Sequence, residues 1–98
     1  MFVVAWEYAV RPGSESAFEA LYGQQGAWVA LFREYPGYLG TELMRSPETG
    51  AYLTLDRWRS GADYDAFQQA AALGYAEIDA RGDALTLEER RVGSYTLP

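Results

Sequence analysis

The sequence predicts an α+β fold in which strands and helices follow the order β-α-β-β-α-β. Runs of β-branched and aromatic residues near both ends of the chain are typical of strands. A hairpin is predicted in the middle, because residues 38–46 and 51–59 have strand composition and flank the Pro-Glu-Thr-Gly turn at 47–50. Apolar residues at helical spacing fill the two regions that separate the hairpin from the outer strands.

The first strand is predicted over residues 2–10, and a helical region follows it. The Arg-Pro-Gly-Ser sequence at 11–14 ends the strand, because Pro and Gly break a ladder and set a turn. Ser14 or Ser16 can cap the helix, and Glu19 completes a capping box with Ser16. Gly23 and Gly26 interrupt the region, so we expect a kink or two short helices. The apolar positions at helical spacing are Phe18, Leu21, Tyr22, Trp28, Leu31, Phe32 and Tyr35.

Strict alternation predicts which side chains share a face of the hairpin. In its second strand, Tyr52, Thr54, Asp56 and Trp58 lie on one face, and Leu53, Leu55 and Arg57 on the other. In its first strand, Leu39, Thr41 and Leu43 lie opposite Tyr38, Gly40, Glu42 and Met44. Neither face is consistently polar, so we expect both to be covered.

The second helical region and the last strand complete the predicted order. Ser60 and Asp63 have the spacing of a capping box. The helix behind them carries an apolar stripe and is expected to bend at Gly74 and to end at Arg81–Gly82. The stripe comprises Tyr64, Phe67, Ala71, Tyr75 and Ile78. The last strand is predicted over residues 85–97.

This order is the split β-α-β plan of a ferredoxin-like fold, which we expect to span residues 1–98 as a single domain. Its four-stranded antiparallel sheet carries helices on one face only. The other face still bears Leu, Val and Ala, an apolar surface too large for a monomer. Self-association of that face is the simplest way to cover it, so we predict a homodimer.

Composition excludes several classes of function. The chain has no Cys and no His, and all eight of its basic residues are Arg. Zinc sites, imidazole or thiolate haem ligands, Ser-His triads, Cys nucleophiles and Lys Schiff bases are therefore excluded, and no metal or other cofactor is expected. A net charge of −6 argues against nucleic acid and anionic membranes as partners. The apolar start is interrupted by Glu7 and lacks preceding basic residues, so a cytoplasmic protein is expected.

The motif pattern resembles the antibiotic biosynthesis monooxygenase family, whose subunits are ferredoxin-like and pair into dimeric α/β barrels. The resemblance is carried by Pro12-Gly13 with Phe18, Trp28 with Leu31-Phe32-Arg33, Pro36-Gly37-Tyr38-Leu39-Gly40-Thr41-Glu42, Tyr52 to Ser60, and Tyr64, Ala66 and Phe67. It covers nearly the whole chain and weakens after Ala72. It implies oxygenation of an aromatic or polyketide-like substrate by O2 without flavin or metal.

The resemblance also implies a site. Family enzymes of the quinone-forming type use an Asn, a Trp four residues later and a Tyr six residues after that. In this sequence Thr54, Trp58 and Tyr64 occupy those positions. They are the predicted catalytic residues, acting as hydrogen-bond donors to a substrate phenolate. The haem-degrading branch also requires a His in the second helix, which this chain lacks, so haem binding by that route is not expected.

Further substrate contacts and the general base remain open at this level. Asp56, Glu42 and Tyr22 are candidate bases, and these three together with Phe67 are the predicted substrate-binding residues. Packing roles compete with functional ones at Trp58 and Tyr64, which also fit an apolar core. Two other functions stay possible on the same fold: a non-catalytic barrel that binds a small apolar ligand, and an isomerase or cyclase that uses a carboxylate without oxygen.

Overall fold

The computed structural model describes residues 1–98 and contains the predicted order of elements. The strands are β1 (Phe2–Val10), β2 (Tyr38–Arg45), β3 (Tyr52–Trp58) and β4 (Thr86–Thr96), and the helices are α1 (Glu15–Tyr22), α2 (Ala27–Phe32), α3 (Gly61–Ala70) and α4 (Ala72–Asp83). The first helical region is thus two short helices, as the glycines at 23 and 26 predict. No helix is long and apolar enough to cross a membrane.

The four strands form one antiparallel sheet in the order β2-β3-β1-β4. Val4 marks its centre, because it pairs with Asp56 on one side and Ser94 on the other. The helices cover the face that carries Tyr8, Tyr52 and Trp58, which are all buried. The fold is therefore the predicted ferredoxin-like α+β arrangement, with the core between the helices and this inner face.

Aromatic rings dominate the core. Phe18 stacks on Tyr22 with ring centroids 4.1 Å apart, and Phe32 meets Trp58 and Phe67 edge-on at 5.7 and 5.1 Å. Tilted and edge-on contacts of this kind suit the charge distribution of aromatic rings. Ring contacts connect α1, α2 and α3 to the sheet, and Tyr75 of α4 contacts rings of α2 and α3, so the aromatic rings hold the two layers together.

The hairpin forms at the predicted turn. Ser46 N donates to Ala51 O at 2.8 Å, and Gly50 N donates to Ser46 O at 2.9 Å. Gly50 has φ of +78°, a conformation that residues with a Cβ rarely adopt. The turn chemistry therefore sets the register in which β2 pairs with β3.

The predicted faces of β2 need one correction. Tyr38 pairs with Trp58 and Gly40 with Arg57, so Leu39 is an extra residue in a β-bulge. The bulge reverses the alternation before it and brings Tyr38 onto the same inner face as Thr41, where strict alternation had separated them. Leu39 itself is 57% exposed.

The helix ends agree with the prediction in part. Asp63 N donates to Ser60 Oγ at 3.1 Å, as the predicted capping box requires. The expected box of Ser16 and Glu19 is wrong, because Ser14 is the N-cap of α1 and Ser16 already lies inside the helix.

The second helical region is interrupted earlier and continues longer than expected. The break between α3 and α4 lies at Ala71, and Gly74, the predicted bend, is an ordinary residue of α4. The helix also continues past Arg81–Gly82 to Asp83. Gly82 is retained inside the helix for a packing reason: a Cβ at this position would lie 2.2 Å from the Tyr22 hydroxyl.

The outer face of the sheet carries half-buried apolar side chains, among them Val3, Leu53 and Leu55. Two ion pairs cross it, Glu42 with Arg57 and Glu7 with Arg90. No helix of the chain covers this face, so its apolar side chains are only partly shielded from water.

Candidate active site

A cavity lies between the inner face of the sheet and the helices. The sheet contributes Trp6, Tyr8, Thr41, Thr54, Asp56 and Glu89 to its lining, and the helices contribute Tyr22, Trp28, Phe32, Tyr64, Gln68, Tyr75 and Asp79. Its volume of about 40 Å³ holds a few water molecules. A ligand with aromatic rings is larger than this volume.

Asp56 is a half-buried carboxylate that lines the cavity. Thr41 Oγ1 donates to Asp56 Oδ1 at 2.8 Å, and no arginine pairs with the carboxylate. The Tyr38 hydroxyl lies 2.6 Å from Thr41 Oγ1. Since Thr41 gives its only proton to Asp56, Tyr38 is the donor of that second bond. The β-bulge creates this chain of hydrogen bonds by placing Tyr38 beside Thr41.

Burial raises the pKa of Asp56 from 3.8 to about 6, and the Thr41 hydrogen bond opposes this rise. A carboxyl with a pKa near 6 is ionised at neutral pH, yet binds a proton more readily than an exposed aspartate does. The cavity therefore contains a group suited to removing a proton from a weak acid.

Tyr64 and Thr54 supply hydroxyl groups to the same cavity. Gln68 Nε2 donates to the Tyr64 hydroxyl at 2.8 Å, which leaves the phenolic proton of Tyr64 available to a ligand. Burial raises the pKa of Tyr64, so this phenol stays protonated. Thr54 is 2% exposed, and its Oγ1 lies 3.4 Å from the Tyr8 hydroxyl.

Two predicted residues lie behind the cavity wall. Trp58 and Phe67 are both fully buried, and neither belongs to the lining. Trp58 packs against Tyr64 with centroids 5.9 Å apart, and its indole Nε1 has no hydrogen-bond partner. An unpaired buried N–H is uncommon in native proteins, and it becomes useful when a ligand supplies an acceptor.

The other predicted contacts divide between the two faces of the sheet. Tyr22 lines the cavity, where Gly82 leaves room for its hydroxyl. Glu42 lies on the outer face, paired with Arg57, and the structure does not bring it to the cavity. Of the candidate bases, Asp56 and Tyr22 thus share the cavity.

Trp28 is a lining residue that the sequence places in the core. Its side chain is 7% exposed, it meets Tyr75 edge-on at 4.8 Å, and its Nε1 has no hydrogen-bond partner. Helical spacing cannot separate Trp28 from true core residues, because both point toward the sheet. Only its position in the lining of the cavity distinguishes it.

The sequence also does not predict a cluster of three acidic residues at the cavity. Carboxylate oxygens of Asp79, Asp83 and Glu89 lie within 4.8 Å of one another, and Asp79 and Glu89 line the cavity. Partial burial and mutual repulsion raise the pKa of Asp79 and of Glu89. These residues come from α4 and β4, so only the folded chain unites them.

The structure thus combines a ferredoxin-like sheet, helices on one face of it, and a cavity between the two that is lined by aromatic rings and by the half-buried Asp56. The sequence profile of the antibiotic biosynthesis monooxygenase family matches residues 1–76. The chain therefore belongs to the antibiotic biosynthesis monooxygenase family. A search of curated protein sequences finds no match.

Solved structures with the same fold include two proteins that are described as an oxygenase and a monooxygenase. A single-site variant of SnoaB, a cofactor-independent oxygenase from Streptomyces nogalater, has a TM-score of 0.80 at 18% identity, covering 98% of this chain and 91% of SnoaB. A monooxygenase from the ActVA-Orf6 gene of Streptomyces coelicolor, in complex with nanaomycin D, has a TM-score of 0.79 at 22% identity, with 99% and 87% covered. Rv0793 from Mycobacterium tuberculosis has a TM-score of 0.76 at 20% identity, with 99% and 94% covered.

Proposed function

We propose that this protein is a cofactor-independent monooxygenase that oxidises an aromatic, polyketide-like substrate with O2. The observation that carries the proposal is Asp56, a half-buried carboxylate with a raised pKa and no cationic partner, in a cavity walled by aromatic rings. Family membership and the fold shared with SnoaB, itself described as a cofactor-independent oxygenase, support the same reaction.

In the proposed reaction, Asp56 removes a proton from a phenol or from the CH2 group of an anthrone. Tyr64 and Thr54 donate hydrogen bonds to the resulting anion, and the apolar walls keep water away from it. The electron-rich anion then gives one electron to O2, and the two radicals combine to form a C–O bond.

For an anthrone the products balance with one molecule of O2. The peroxide O–O bond breaks as the second C–H proton leaves, which makes the ring carbonyl of the quinone and releases hydroxide. Hydroxide takes the proton from Asp56 and becomes water. One oxygen atom enters the product, and the carboxylate is restored for the next turnover.

Trp58 and Phe67 have supporting positions in this proposal. Phe67 packs between Phe32 and Trp58 and fixes the wall behind the substrate. The ring of Trp58 packs against Tyr64 and its N–H is unpaired, so an outward movement of α3 on ligand binding would make it available as a further donor to the anion. Glu42, on the outer face, has no part in the proposed chemistry.

Oxygen uptake by metal-free and flavin-free protein, measured against a panel of anthrones and naphthols, tests the proposal. We expect uptake above the uncatalysed rate, a loss of at least about a hundredfold in Asp56→Asn, and a smaller loss in Trp58→Phe. Glu42→Gln is the matched control and should retain full activity. Binding without any uptake would contradict the proposal and support a non-catalytic barrel for small apolar ligands.

An isomerase or cyclase is a second candidate, because a half-buried carboxylate with a pKa near 6 suits proton transfer that needs no oxygen. The two proposed functions predict different turnover under anaerobic conditions. Turnover that continues without O2 and is lost in Asp56→Asn would favour the isomerase or cyclase over the monooxygenase.

We further propose that the protein acts as a homodimer. The outer face of the sheet presents Val3, Leu53 and Leu55 without a covering layer. A two-fold axis through this face would bury those side chains against their own copies. Each cavity lies on the opposite, inner face of its subunit, so dimerisation leaves access to the site unchanged.

A further inference from the structure

Tyr38 is linked to Asp56 through the hydroxyl group of Thr41. An ionised carboxylate can only accept hydrogen bonds, so Thr41 Oγ1 donates to Asp56 Oδ1 over 2.8 Å. Thr41 then has no proton left for Tyr38, and the Tyr38 hydroxyl must donate to Thr41 Oγ1 over 2.6 Å. The Thr41 hydroxyl is therefore oriented toward Asp56 by a residue that does not itself line the cavity.

Packing and strand pairing hold Tyr38 and Thr41 in these positions. The ring of Tyr38 contacts the rings of Phe32 and Trp58, with centroid distances of 5.3 and 5.4 Å. Thr41 in β2 is the direct cross-strand partner of Asp56 in β3. These contacts involve the ring and the backbone, so removal of the Tyr38 hydroxyl alone should leave them in place.

The two oxygens of the Asp56 carboxylate have different surroundings. Oδ1 accepts from Thr41, whereas Oδ2 has no hydrogen-bond partner in the protein and is accessible to solvent. A hydrogen bond stabilises the negative charge on the oxygen that accepts it, so Oδ1 is the weaker base of the two. Since Asp56 lines the cavity, Oδ2 is the oxygen that a ligand can reach.

We propose that Tyr38 is a positioning residue for the reaction: it holds the Thr41 hydroxyl toward Asp56 Oδ1, so that Oδ2 takes the substrate proton. This inference rests on the proposed function, since it takes Asp56 as the base. One proton moves from the substrate to Oδ2, the electron pair stays on the substrate as the anion, and Thr41 and Tyr38 keep their own protons. Without the Tyr38 hydroxyl, the Thr41 proton can also turn to a backbone carbonyl, which weakens its bond to Asp56.

Other ionisable groups face this chain from the elements packed against it. Two kinds keep one charge state between about pH 4 and 8, namely phenols, whose pKa is raised by burial, and arginines. They are Tyr8 of β1, Tyr64 of α3, Arg33 beside Tyr38, and Arg91 beside Tyr64. The carboxylates of Asp79 and Glu89 also line the cavity and titrate at acidic pH. A measurement on the Asp56 carboxyl carbon itself separates its titration from theirs.

Carbon-13 NMR of protein labelled at the aspartate carboxyl carbons measures the pKa of Asp56 without substrate or oxygen, and Asp56→Asn identifies its signal. In Tyr38→Phe we expect this pKa to rise by about half a unit, because the Thr41 donor is loosened rather than removed. In Thr41→Val the rise should be larger. The double variant should match Thr41→Val alone, since Tyr38 acts only through Thr41.

Activity gives a second readout. At pH 8, where Asp56 is ionised in both proteins, Tyr38→Phe should lower kcat for anthrone oxidation about fivefold and change KM by less than about twofold. Tyr35→Phe is the matched control, because it removes a phenol oxygen from a half-buried tyrosine that packs on Phe67 and has no bond to this chain. It should leave both the pKa of Asp56 and kcat unchanged. Circular dichroism and thermal melting show whether each variant keeps the fold.

The outcomes separate this inference from the proposed function. An unchanged pKa of Asp56 in Tyr38→Phe would overturn the inference, and so would shifts of Tyr38→Phe and Thr41→Val that add in the double variant. An equal fall of kcat in Tyr35→Phe would also overturn it, because the loss would then arise from packing. A wild type that takes up no oxygen would contradict the proposed function, and the carbon-13 titration would still decide whether Tyr38 acts on Asp56 through Thr41.

Discussion

Asp56 links the chemistry of the site to the stability of the fold. Its carboxylate is half-buried, with one hydrogen bond, from Thr41, and without a positive charge beside it. Burying an ionised group in this way is unfavourable unless another requirement maintains it. The sequence identifies Asp56 as an acidic residue on the face of Thr54, but the burial that raises its pKa depends on β2 and on the helices above.

Activity should depend on the ionisation of Asp56. Because the carboxylate form is the base, kcat/KM should rise with pH through an apparent pKa of about 6 and then level off. A pH–rate profile with a substrate that does not itself ionise in this range measures this. A profile that is flat from pH 5 to 8 would remove Asp56 from the proton transfer.

The hydrogen bond from Thr41 should influence the apparent pKa of the pH–rate profile. Its hydrogen bond favours the ionised form of Asp56 and so lowers the pKa of the carboxyl. Thr41→Val removes this donor, and the apparent pKa of the profile should therefore move upward by about one unit. Thr96→Val, at the end of β4, is a control in which the profile should not move.

The same burial predicts a stability effect of opposite sign. The pKa of Asp56 is higher in the folded protein than in the unfolded chain, so the folded state binds the proton more tightly. Stability from this group is therefore present at acidic pH and is lost as the pH rises from about 4 through about 6. Asp56→Asn, whose amide oxygen can still accept from Thr41, should escape this loss.

Urea unfolding at two pH values measures that difference. At pH 8 the free energy of unfolding of Asp56→Asn should exceed that of the wild type by up to about 3 kcal/mol, and at pH 4 the two should be nearly equal. An Asp56→Asn variant that is less stable than the wild type at both pH values would show that the carboxylate stabilises the fold.

At the scale of elements, the sequence predicts what local periodicity and turn chemistry control. The hairpin turn, the Ser60 cap and the split of the first helical region all agree with the structure. The bulge at Leu39 does not follow from periodicity, because the way β2 pairs with β3 decides where an extra residue is placed in the strand. The Tyr38–Thr41–Asp56 chain depends on that bulge, so it could not be derived from the sequence.

Close packing between α1 and α4 gives a further test at this scale. A methyl group at Gly82 would overlap the Tyr22 hydroxyl, so Gly82→Ala should destabilise the protein by about 1–3 kcal/mol despite the better helix propensity of alanine. Tyr22→Phe removes the overlapping atom. The double variant should recover most of the loss, which a double-mutant cycle of unfolding free energies measures.

Gly74→Ala is a matched control in the same helix. Its methyl group would meet only the flexible Leu31 side chain, at 3.2 Å, so its stability should change little. Equal destabilisation by both glycine substitutions, with no recovery in the Tyr22→Phe background, would show that the loss arises in the helix rather than at the contact with Tyr22.

At the scale of the whole molecule, the order of elements and the sheet follow from sequence, whereas the site only partly does. Family resemblance names Thr54, Trp58 and Tyr64, and the cavity contains Thr54 and Tyr64. The cavity also contains Trp28, Asp79 and Glu89, because α2, α4 and β4 meet there. No local sequence pattern predicts which elements meet in the folded chain. The single domain over residues 1–98 stays a prediction, although β4 pairs with β1 along most of its length.

The proposed dimer is tested by placing a charge on the outer face of the sheet. Leu55→Glu should give a monomer, because an unpaired carboxylate at the centre of an apolar interface is not tolerated. Leu73→Glu makes the same change at a residue that is 91% exposed on α4, and this variant should remain dimeric. Native mass spectrometry measures both, and a monomeric wild type would contradict the proposal.

The most direct test of the central claim separates proton removal from the reaction with oxygen. An anthrone is mixed with the protein under anaerobic conditions, and the absorbance of its anion is followed before and after O2 is added. We predict that the wild type forms the anion without oxygen and consumes it when oxygen is added, whereas Asp56→Asn forms none. Formation of the anion to the same extent in Asp56→Asn would contradict the assignment of Asp56 as the base on which the proposed reaction depends.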